Sequence, residues 1–405
     1  MKFNPHEIIP QAYVGREQAY IKHLLLEGYL ERLLYIVGWS ATQLGHEEIV
    51  FVDCFAGPWK DDSDDLKSTS IAISMELLSK VQYTLEKAGR PVKFRALYVE
   101  KNVRAFGRLN SYLLSHTPPN VVSGAINGDF TQCVPEILAH CPAKSFAFFF
   151  IDPKGWAAVK PEILQPLLAR PRSEFLINFM YDFVNRAASM SALQDNIAAL
   201  LGGAFDMEEV PANPAHREQF LLGRYRDTLV TRASQGNARA LSGFVSILDP
   251  TADRTKYHLL YLTRHPKGII EFMTQSERLA GVQDAVRTAA KFNKKNREDS
   301  TGDLFGIDAS QVESSIEDDG DRLEKLSLLW LERIGNQPLI VTEAVFAELI
   351  CKSNCFPFEL QLALKNLMTQ GKVSNIDGNI KRRMKNVVNY DKKETLILTT
   401  QTQGD

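Results

Sequence analysis

Residues 50–60 read VFVDCFAGPWK, a short apolar run that ends in Asp53 and passes at once into a loop of small residues. This pattern predicts a buried strand followed by a tight turn. The loop lacks the full Gly-x-Gly-x-x-Gly spacing of a dinucleotide fingerprint, and the chain has no Gly-x-x-x-x-Gly-Lys-Ser/Thr phosphate loop. Taken alone, the stretch fits either an ordinary strand-to-helix turn or the mouth of a cofactor site.

The same pattern of apolar run and turn recurs along the first half of the chain. Further strands are predicted within residues 92–100, 121–130, 145–156 and 173–180, with helical patterns between them. Strands that are apolar throughout, alternating with helices, indicate a parallel sheet covered on both faces. Residues 240–250 and 256–273 predict two more strands, with His265 in a turn. The predicted fold class is therefore α/β, a doubly wound, mostly parallel, Rossmann-like sheet.

Four successive predicted strands close with an acid: Asp53, Glu100, Asp129 and Asp152. In open parallel sheets, ligands bind outside the carboxyl ends of the strands, near the point where the strand order switches. One acid after a strand is unremarkable because Asp favours turns. Four in a row predict one shared functional crevice.

Two of these strand ends suit particular contacts. The two oxygens of Glu100 suit a pair of neighbouring ribose hydroxyls. Asp129 suits a hydrogen bond from an exocyclic amine, with Phe130 packing on a base. For each acid the alternative is a cap on the following helix.

The stretches VDCFAGPW, YVE, NGDF, FFIDPKGW and LINFM together resemble the motifs of the three-Cys-motif partner protein (TcmP) family, over roughly residues 15–275. The resemblance implies a class I S-adenosylmethionine-dependent methyltransferase fold, S-adenosyl-L-methionine as cofactor and a three-Cys-motif protein as partner. Its implied cofactor-binding residues are Asp53, Phe55, Ala56, Gly57, Pro58, Glu100, Asp129 and Phe130. The chain departs from the family at Trp59, where a glycine is usual; an indole there could narrow or cover the cofactor pocket.

Residues Asp152-Pro153-Lys154-Gly155 are similar to the Asp-Pro-Pro-aromatic motif of enzymes that methylate amino groups of nucleic acids. In that motif the acid and a prolyl carbonyl hold the target amine, and the aromatic ring stacks on the flipped base. The predicted catalytic or substrate-binding residues are Asp152, Pro153, Lys154, Trp156 and Asn178. The chain has no Pro-Cys dipeptide, so the covalent route of C5-cytosine methyltransferases is not expected.

The C-terminal part differs in composition from the rest of the chain. Residues 297–324 hold ten acids against two bases, which is typical of a solvated linker. Beyond them, three helical patterns and a strand pair are the order of a small winged-helix domain. The predicted domains are 1–296 (methyltransferase-like, with a helical insertion at about 183–240), 297–320 (linker) and 321–405 (winged-helix-like).

A basic stretch lies within the predicted C-terminal domain. From Lys365 to Lys393 there are eight bases and two acids. Lys381, Arg382, Arg383 and Lys385 fit a basic wing that contacts the phosphates of DNA or RNA. Winged helices also mediate protein contacts, and a charged run is often only a solvated face.

The composition excludes several classes of protein. The formal net charge of the 405 residues is −2, no apolar run is long enough to span a membrane, and the N-terminus lacks a signal peptide's apolar core. We therefore expect a cytoplasmic protein without a membrane partner. Five scattered cysteines without a Cys-x-x-Cys pair predict neither a disulfide framework nor a metal site.

Three functions remain open from the sequence. The first is a methyltransferase that acts on or with nucleic acid together with a three-Cys-motif partner. The second is a non-catalytic adaptor that binds DNA through its winged helix and recruits the partner. The third is a metal-dependent nuclease built on the strand-end acids.

Overall fold

The computed structural model describes residues 8–57, 68–204, 209–236, 238–298, 319–378 and 386–399. The chain divides into two compact units: Met1–Arg264 with Leu279–Gly302, and His265–Arg278 with Asp303–Asp405. Pro58, Trp59 and the basic residues Lys381, Arg382, Arg383 and Lys385 lie outside the described residues. The predicted domain boundaries stay predictions.

The first unit is built on a seven-stranded sheet with the order β3-β2-β1-β4-β5-β7-β6. The strands are β1 (Glu48–Asp53), β2 (Lys93–Glu100), β3 (Val121–Asn127), β4 (Ser145–Ile151), β5 (Ser173–Phe179), β6 (Leu241–Leu248) and β7 (Thr255–Thr263). β7 pairs antiparallel with both β5 and β6, and the other pairings are parallel. The predicted mostly parallel sheet with flanking helices is therefore confirmed.

Helices connect and cover the strands of this sheet. They are α1 (Glu17–Leu44), α2 (Ser70–Lys87), α3 (Val103–His116), α4 (Phe130–Ala139), α5 (Pro161–Leu168), α6 (Tyr181–Ala188), α7 (Gln194–Leu200) and α8 (Pro214–Ala233). A further helix, α9 (Pro266–Glu298), belongs to the second unit up to Arg278 and to the first unit from Leu279. Every residue of β1, β4 and β5 is buried. Alternate side chains serve opposite faces: Phe148 packs on Phe51 and Tyr29, whereas Phe149 stacks on Phe175.

The structure corrects the prediction for residues 256–273. β7 ends at Thr263, and α9 begins at Pro266, so the second apolar run is helical. His265 precedes this helix, and its carbonyl accepts from Gly268 N at 3.0 Å. The reason is Pro266, whose fixed φ suits the first position of a helix and whose missing N–H is not needed there.

The second unit has its own small core and sheet. Its elements are α10 (Asp319–Ile334), β8 (Leu339–Ile340), α11 (Glu343–Ser353), α12 (Pro357–Thr369), β9 (Val373–Asn375) and β10 (Thr395–Leu398). The strands form an antiparallel sheet in the order β8-β10-β9. Trp330 is fully buried at the centre of the unit, and its Nε1 donates to the Leu360 carbonyl at 2.9 Å.

Two further observations concern membrane-spanning helices and the cysteines. Within the described ranges, no helix is both long and apolar enough to cross a membrane. A cytoplasmic location stays a prediction. All five cysteines carry free thiols, and four of them are buried, which is the usual state of a small apolar residue.

Candidate functional site

The pairing of the strands brings the predicted site residues to one edge of the sheet. Asp53 pairs with Tyr98 on β2 and with Phe150 on β4, so Glu100 and Asp152 each lie two residues further along. Because Ile151 pairs with Ile177, Asn178 lies beside Asp152. The acids of β1, β2 and β4 therefore share the carboxyl edge of neighbouring strands, as the sequence predicts.

Asp53 is fully buried at the end of β1. Its Oδ1 accepts from Phe55 N at 3.0 Å, and its Oδ2 accepts from Ser70 Oγ at 2.6 Å. Burial raises the pKa of Asp53 to about 6, while the two hydrogen bonds oppose the shift. Asp152 adds a smaller upward effect on this pKa, which shows that the two carboxyl groups lie within electrostatic reach.

The loop after β1 folds back over β2. Ala56 N donates to the Val99 carbonyl at 3.0 Å, and Ala56 is buried. The half-buried ring of Phe55 lies 5.0 Å from that of Phe130. Gly57 is the last residue described in this loop. Gly57 is partly exposed and has no side chain, so a ligand can approach the backbone of this loop at Gly57.

Glu100 is 3% exposed at the end of β2. Its Oε1 accepts from Asn102 N at 2.5 Å, which ties the carboxylate to the start of α3. Among the described residues, its Oε2 makes no hydrogen bond. The cap of α3 is Asn102, so Glu100 combines a contact to the cap residue with one free acceptor oxygen at the carboxyl edge of the sheet.

Asp129 takes the capping role that the sequence leaves open as the alternative, and Phe130 is buried. Asp129 caps α4: its Oδ1 accepts from Thr131 N at 3.0 Å and from Thr131 Oγ1 at 2.7 Å. These bonds lower the pKa of Asp129, and its side chain is 45% exposed. Phe130 is 2% exposed and packs against Phe55. The contacts of Asp129 with an exocyclic amine and of Phe130 with a base stay predictions.

Asp152 is held on both of its oxygens. Lys22 of α1 forms an ion pair with Oδ2, and Asn178 Nδ2 donates to Oδ1 at 2.6 Å. Asn178 is 3% exposed, and its Oδ1 has no hydrogen-bond partner within the described ranges. A buried amide oxygen without a partner costs free energy, so this atom points to a donor group on a ligand.

The residues that follow Asp152 form a turn at the rim. Pro153 is buried and Lys154 is exposed. Gly155 has a φ of +121°, which only glycine adopts without strain. Trp156 is half-buried against the core, with Lys160 Nζ 5.8 Å from its ring centroid. The turn thus presents Lys154 to solvent and keeps part of the indole accessible.

Lys22 is a site residue that the sequence patterns do not reveal. It lies 130 positions before Asp152, and no local motif connects the two. The available signal is its place in α1, where a lysine stands between the buried residues Ile21 and His23. Burial and the nearby Lys22 lower the pKa of His23 to about 3, so this imidazole is neutral and accepts or donates within its contact to Tyr13.

The comparisons with known proteins give no family. No family model matches the sequence, and no curated protein is similar to it. Membership of the TcmP family therefore stays a prediction from the motifs. Within the part of the chain that the structure describes, no group of three or more His, Cys, Asp or Glu side chains is arranged to hold a metal ion.

Three of the similar solved structures are distant from this chain. A Legionella pneumophila str. Philadelphia 1 protein of family model DUF519 is 12% identical, with 68% of this chain and 92% of that chain covered and a TM-score of 0.36. Precorrin-6y C5,15-methyltransferase from Geobacter metallireducens GS-15 is 13% identical, with coverages of 55% and 83% and a TM-score of 0.25. Loganic acid methyltransferase with SAH is 11% identical, with coverages of 91% and 92% and a TM-score of 0.25. Likeness at this level supports neither a family nor an activity.

Proposed function

We propose that the chain is a class I S-adenosylmethionine-dependent methyltransferase that acts on or with nucleic acid, together with a three-Cys-motif partner protein. The observation that carries the proposal is the sheet itself. Its order β3-β2-β1-β4-β5-β7-β6, with β7 alone antiparallel, is the order of the class I methyltransferase fold. The switch in strand order lies between β1 and β4, where Asp53 and Asp152 end their strands.

The residues at this edge fit the cofactor in chemical terms. Glu100 offers a free carboxylate oxygen to the ribose hydroxyls, and Gly57 leaves room along the backbone. When bound, S-adenosylmethionine would supply an electrophilic methyl group on a sulfonium that is released as a neutral thioether. Because this displacement is in line, the protein's task is to align the acceptor and remove one proton from it. Asp152 and Asn178 are placed to hold that acceptor.

Calorimetry with S-adenosylhomocysteine tests the cofactor site. We expect the wild-type protein to bind, and Glu100→Gln to weaken binding about tenfold or more because one charge-assisted hydrogen bond is removed. Glu47→Gln is the matched control: Glu47 pairs with Lys144 on the surface before β1, at the opposite edge of the sheet. Absence of binding by the wild-type protein would rule out the cofactor assignment.

The second unit supports a contact with nucleic acid. Its order α10-β8-α11-α12-β9-β10 with three antiparallel strands supports the proposal that this unit is a winged helix. In such domains the third helix, here α12, lies against the partner. Its outward residues include Lys365, Asn366 and Thr369, which can contact phosphates and base edges. In the sequence, β9 is followed by the basic residues Lys381, Arg382, Arg383 and Lys385, which we propose as the phosphate-binding residues.

The salt dependence of binding tests this contact with labelled duplex DNA and single-stranded RNA. When the four basic residues are changed to Gln, the slope of log K against log salt on the duplex should become shallower by about 0.9 for each phosphate that the protein no longer neutralises. Lys352→Gln, an exposed lysine of α11 that pairs with Glu348, is the control and should leave the slope unchanged. An unchanged slope in the quadruple variant would exclude a phosphate-binding wing.

A non-catalytic adaptor is the second candidate, and the pairing at Asp152 favours it. Lys22 and Asn178 engage both oxygens of the carboxylate that would hold the acceptor. The adaptor predicts co-purification with a three-Cys-motif protein and no transfer of labelled methyl groups to DNA, RNA or that protein. Methyl transfer that Asp152→Asn abolishes would decide for the enzyme.

A further inference from the structure

Lys22 adds a positive charge to the site at the carboxyl edge of the sheet, where the strands otherwise end in acids. It reaches Asp152 from α1, which precedes the strands of the sheet. Tyr257 of β7 lies nearby, with its ring centroid 6.0 Å from Lys22 Nζ, and its hydroxyl donates to the Gln18 carbonyl at 3.0 Å. The side chains of Lys22 and Asp152 are only 14% and 19% exposed, so solvent and salt screen this ion pair weakly.

Without a ligand, the charges of the residues proposed to hold the methyl acceptor sum to zero. Lys22 contributes one positive charge, Asp152 one negative charge, and Asn178 none. A lone carboxylate attracts an ammonium ion, but with Lys22 in place a second cation meets a repulsion of similar size. A neutral group that donates N–H hydrogen bonds meets no such repulsion.

Two acceptor atoms remain for such a group. Asn178 Oδ1 is buried and has no partner among the described residues. Asp152 Oδ1 accepts one bond from Asn178 and retains a second lone pair. These atoms end the neighbouring strands β4 and β5, and a hydrogen bond of 2.6 Å already joins their side chains. An NH₂ group carries two donors on one nitrogen and can serve both atoms, whereas a hydroxyl group carries one.

We propose that Lys22 is a positioning residue that sets this site to accept a neutral NH₂ group, as in a nucleobase amine or a carboxamide, and to reject an alkylammonium or amidinium ion. The inference deepens the proposed function, on which its meaning for catalysis rests, by naming the chemical class of the acceptor. A neutral NH₂ group is also the form that still has a lone pair for a new bond to carbon. The protonated side chain of a lysine has none.

Benzamide and benzamidine are matched probes because they share a shape and differ by one charge. Their dissociation constants can be measured by NMR titration of the full chain without cofactor. We expect the wild-type protein to bind benzamide more tightly than benzamidinium. Lys22→Met should shift the ratio of the two constants toward benzamidinium by about tenfold or more, because one like charge is removed from a weakly screened site. Lys22→Arg should keep the wild-type preference.

A double variant separates this role from a role in stability alone. Lys22→Met leaves Asp152 as an uncompensated, partly buried charge and will destabilise the fold. Lys22→Met with Asp152→Asn restores a net charge of zero, so the preference for benzamide should return. Lys80→Met is the matched control: Lys80 lies on α2, pairs with Glu31 and is 56% exposed. It should change neither constant.

Three results would overturn the assignment: a wild-type preference for benzamidinium, a ratio that Lys22→Met does not change, or no binding of benzamide. These results are independent of the cofactor. Benzamide selectivity without S-adenosylhomocysteine binding would overturn the proposed methyltransferase and leave the acceptor assignment standing. S-adenosylhomocysteine binding without benzamide selectivity would overturn only the acceptor assignment.

Discussion

We expect the ionised carboxyl group of Asp53 to destabilise the folded protein at neutral pH. Asp53→Asn should remove this destabilisation. The carboxyl group is fully buried, and burial raises its pKa to about 6, against the hydrogen bonds from Ser70 and Phe55. The usual value for aspartate is near 3.9, so the shift is about two pKa units. At 1.36 kcal/mol per unit, ionising this group in the folded state costs about 3 kcal/mol.

The direction of the pH effect follows from which state holds the proton. Between about pH 4 and pH 6 the folded protein keeps the proton of Asp53 and the unfolded chain has released it. The free energy of unfolding therefore falls as the pH rises through this window. The stability that the retained proton of Asp53 contributes is fully present below about pH 4 and is lost above about pH 6. Asparagine does not titrate, and it keeps both contacts because its Oδ1 can accept from Phe55 N while its Nδ2 donates to Ser70 Oγ.

Urea unfolding between about pH 5 and pH 8 measures the effect. Asp53→Asn should raise the free energy of unfolding by up to about 3 kcal/mol at the upper end and by less at the lower end. Asp284→Asn, at an exposed position of α9, is the control and should change little. A variant less stable than wild type at pH 8, with the same pH dependence, would refute the reasoning.

Two further predictions concern the frame of the sheet. Glu174 accepts hydrogen bonds from Tyr29 Oη at 2.9 Å and from Tyr261 Oη at 2.6 Å. Glu174→Ala should therefore lower the free energy of unfolding by about 3 kcal/mol or more, and Glu174→Gln should lower it less. Equal losses of unfolding free energy in the two variants would contradict this prediction. A Cβ on Gly128 would lie 2.4 Å from Cys133 Sγ. Gly128→Ala should therefore lower the free energy of unfolding by about 1–3 kcal/mol, seen as a lower melting temperature, and Cys133→Ala in the same chain should restore the stability. If Cys133→Ala did not restore it, the steric clash would not lie at Cys133.

The sheet is predictable because its strands are apolar throughout. A run such as residues 145–151 can be buried on both faces only between covering helices, and all seven of its residues are buried. The acid at each strand end is predictable for the same reason, since it marks where the apolar run stops. The order of the strands is not visible, because pairings such as Asp53 with Phe150 join residues far apart in the chain.

Two features of the structure cannot be predicted from the sequence immediately around them. The ion pair of Lys22 with Asp152 depends on where α1 crosses the sheet, and the sequence around Lys22 shows only an amphipathic helix. The prediction of a strand beyond Pro266 is wrong because the early apolar residues of α9, Ile269 and Ile270, also favour strands. In both cases the tertiary context decides between local alternatives of similar merit.

The strand-end acids look alike in the sequence, but the fold gives them different electrostatic states. Asp53 is buried, with its pKa raised to about 6; Asp129 is exposed, with its pKa lowered by Thr131; Asp152 is paired with Lys22. A metal-dependent nuclease needs ionised carboxylates with oxygens free to converge on a cation. Here Ser70, Thr131 and Lys22 already engage those oxygens. Methyl transfer instead requires separate groups that hold the methyl donor and the methyl acceptor in line. The carboxyl groups of Asp53, Asp129 and Asp152 lie in three different environments, which is compatible with separate roles.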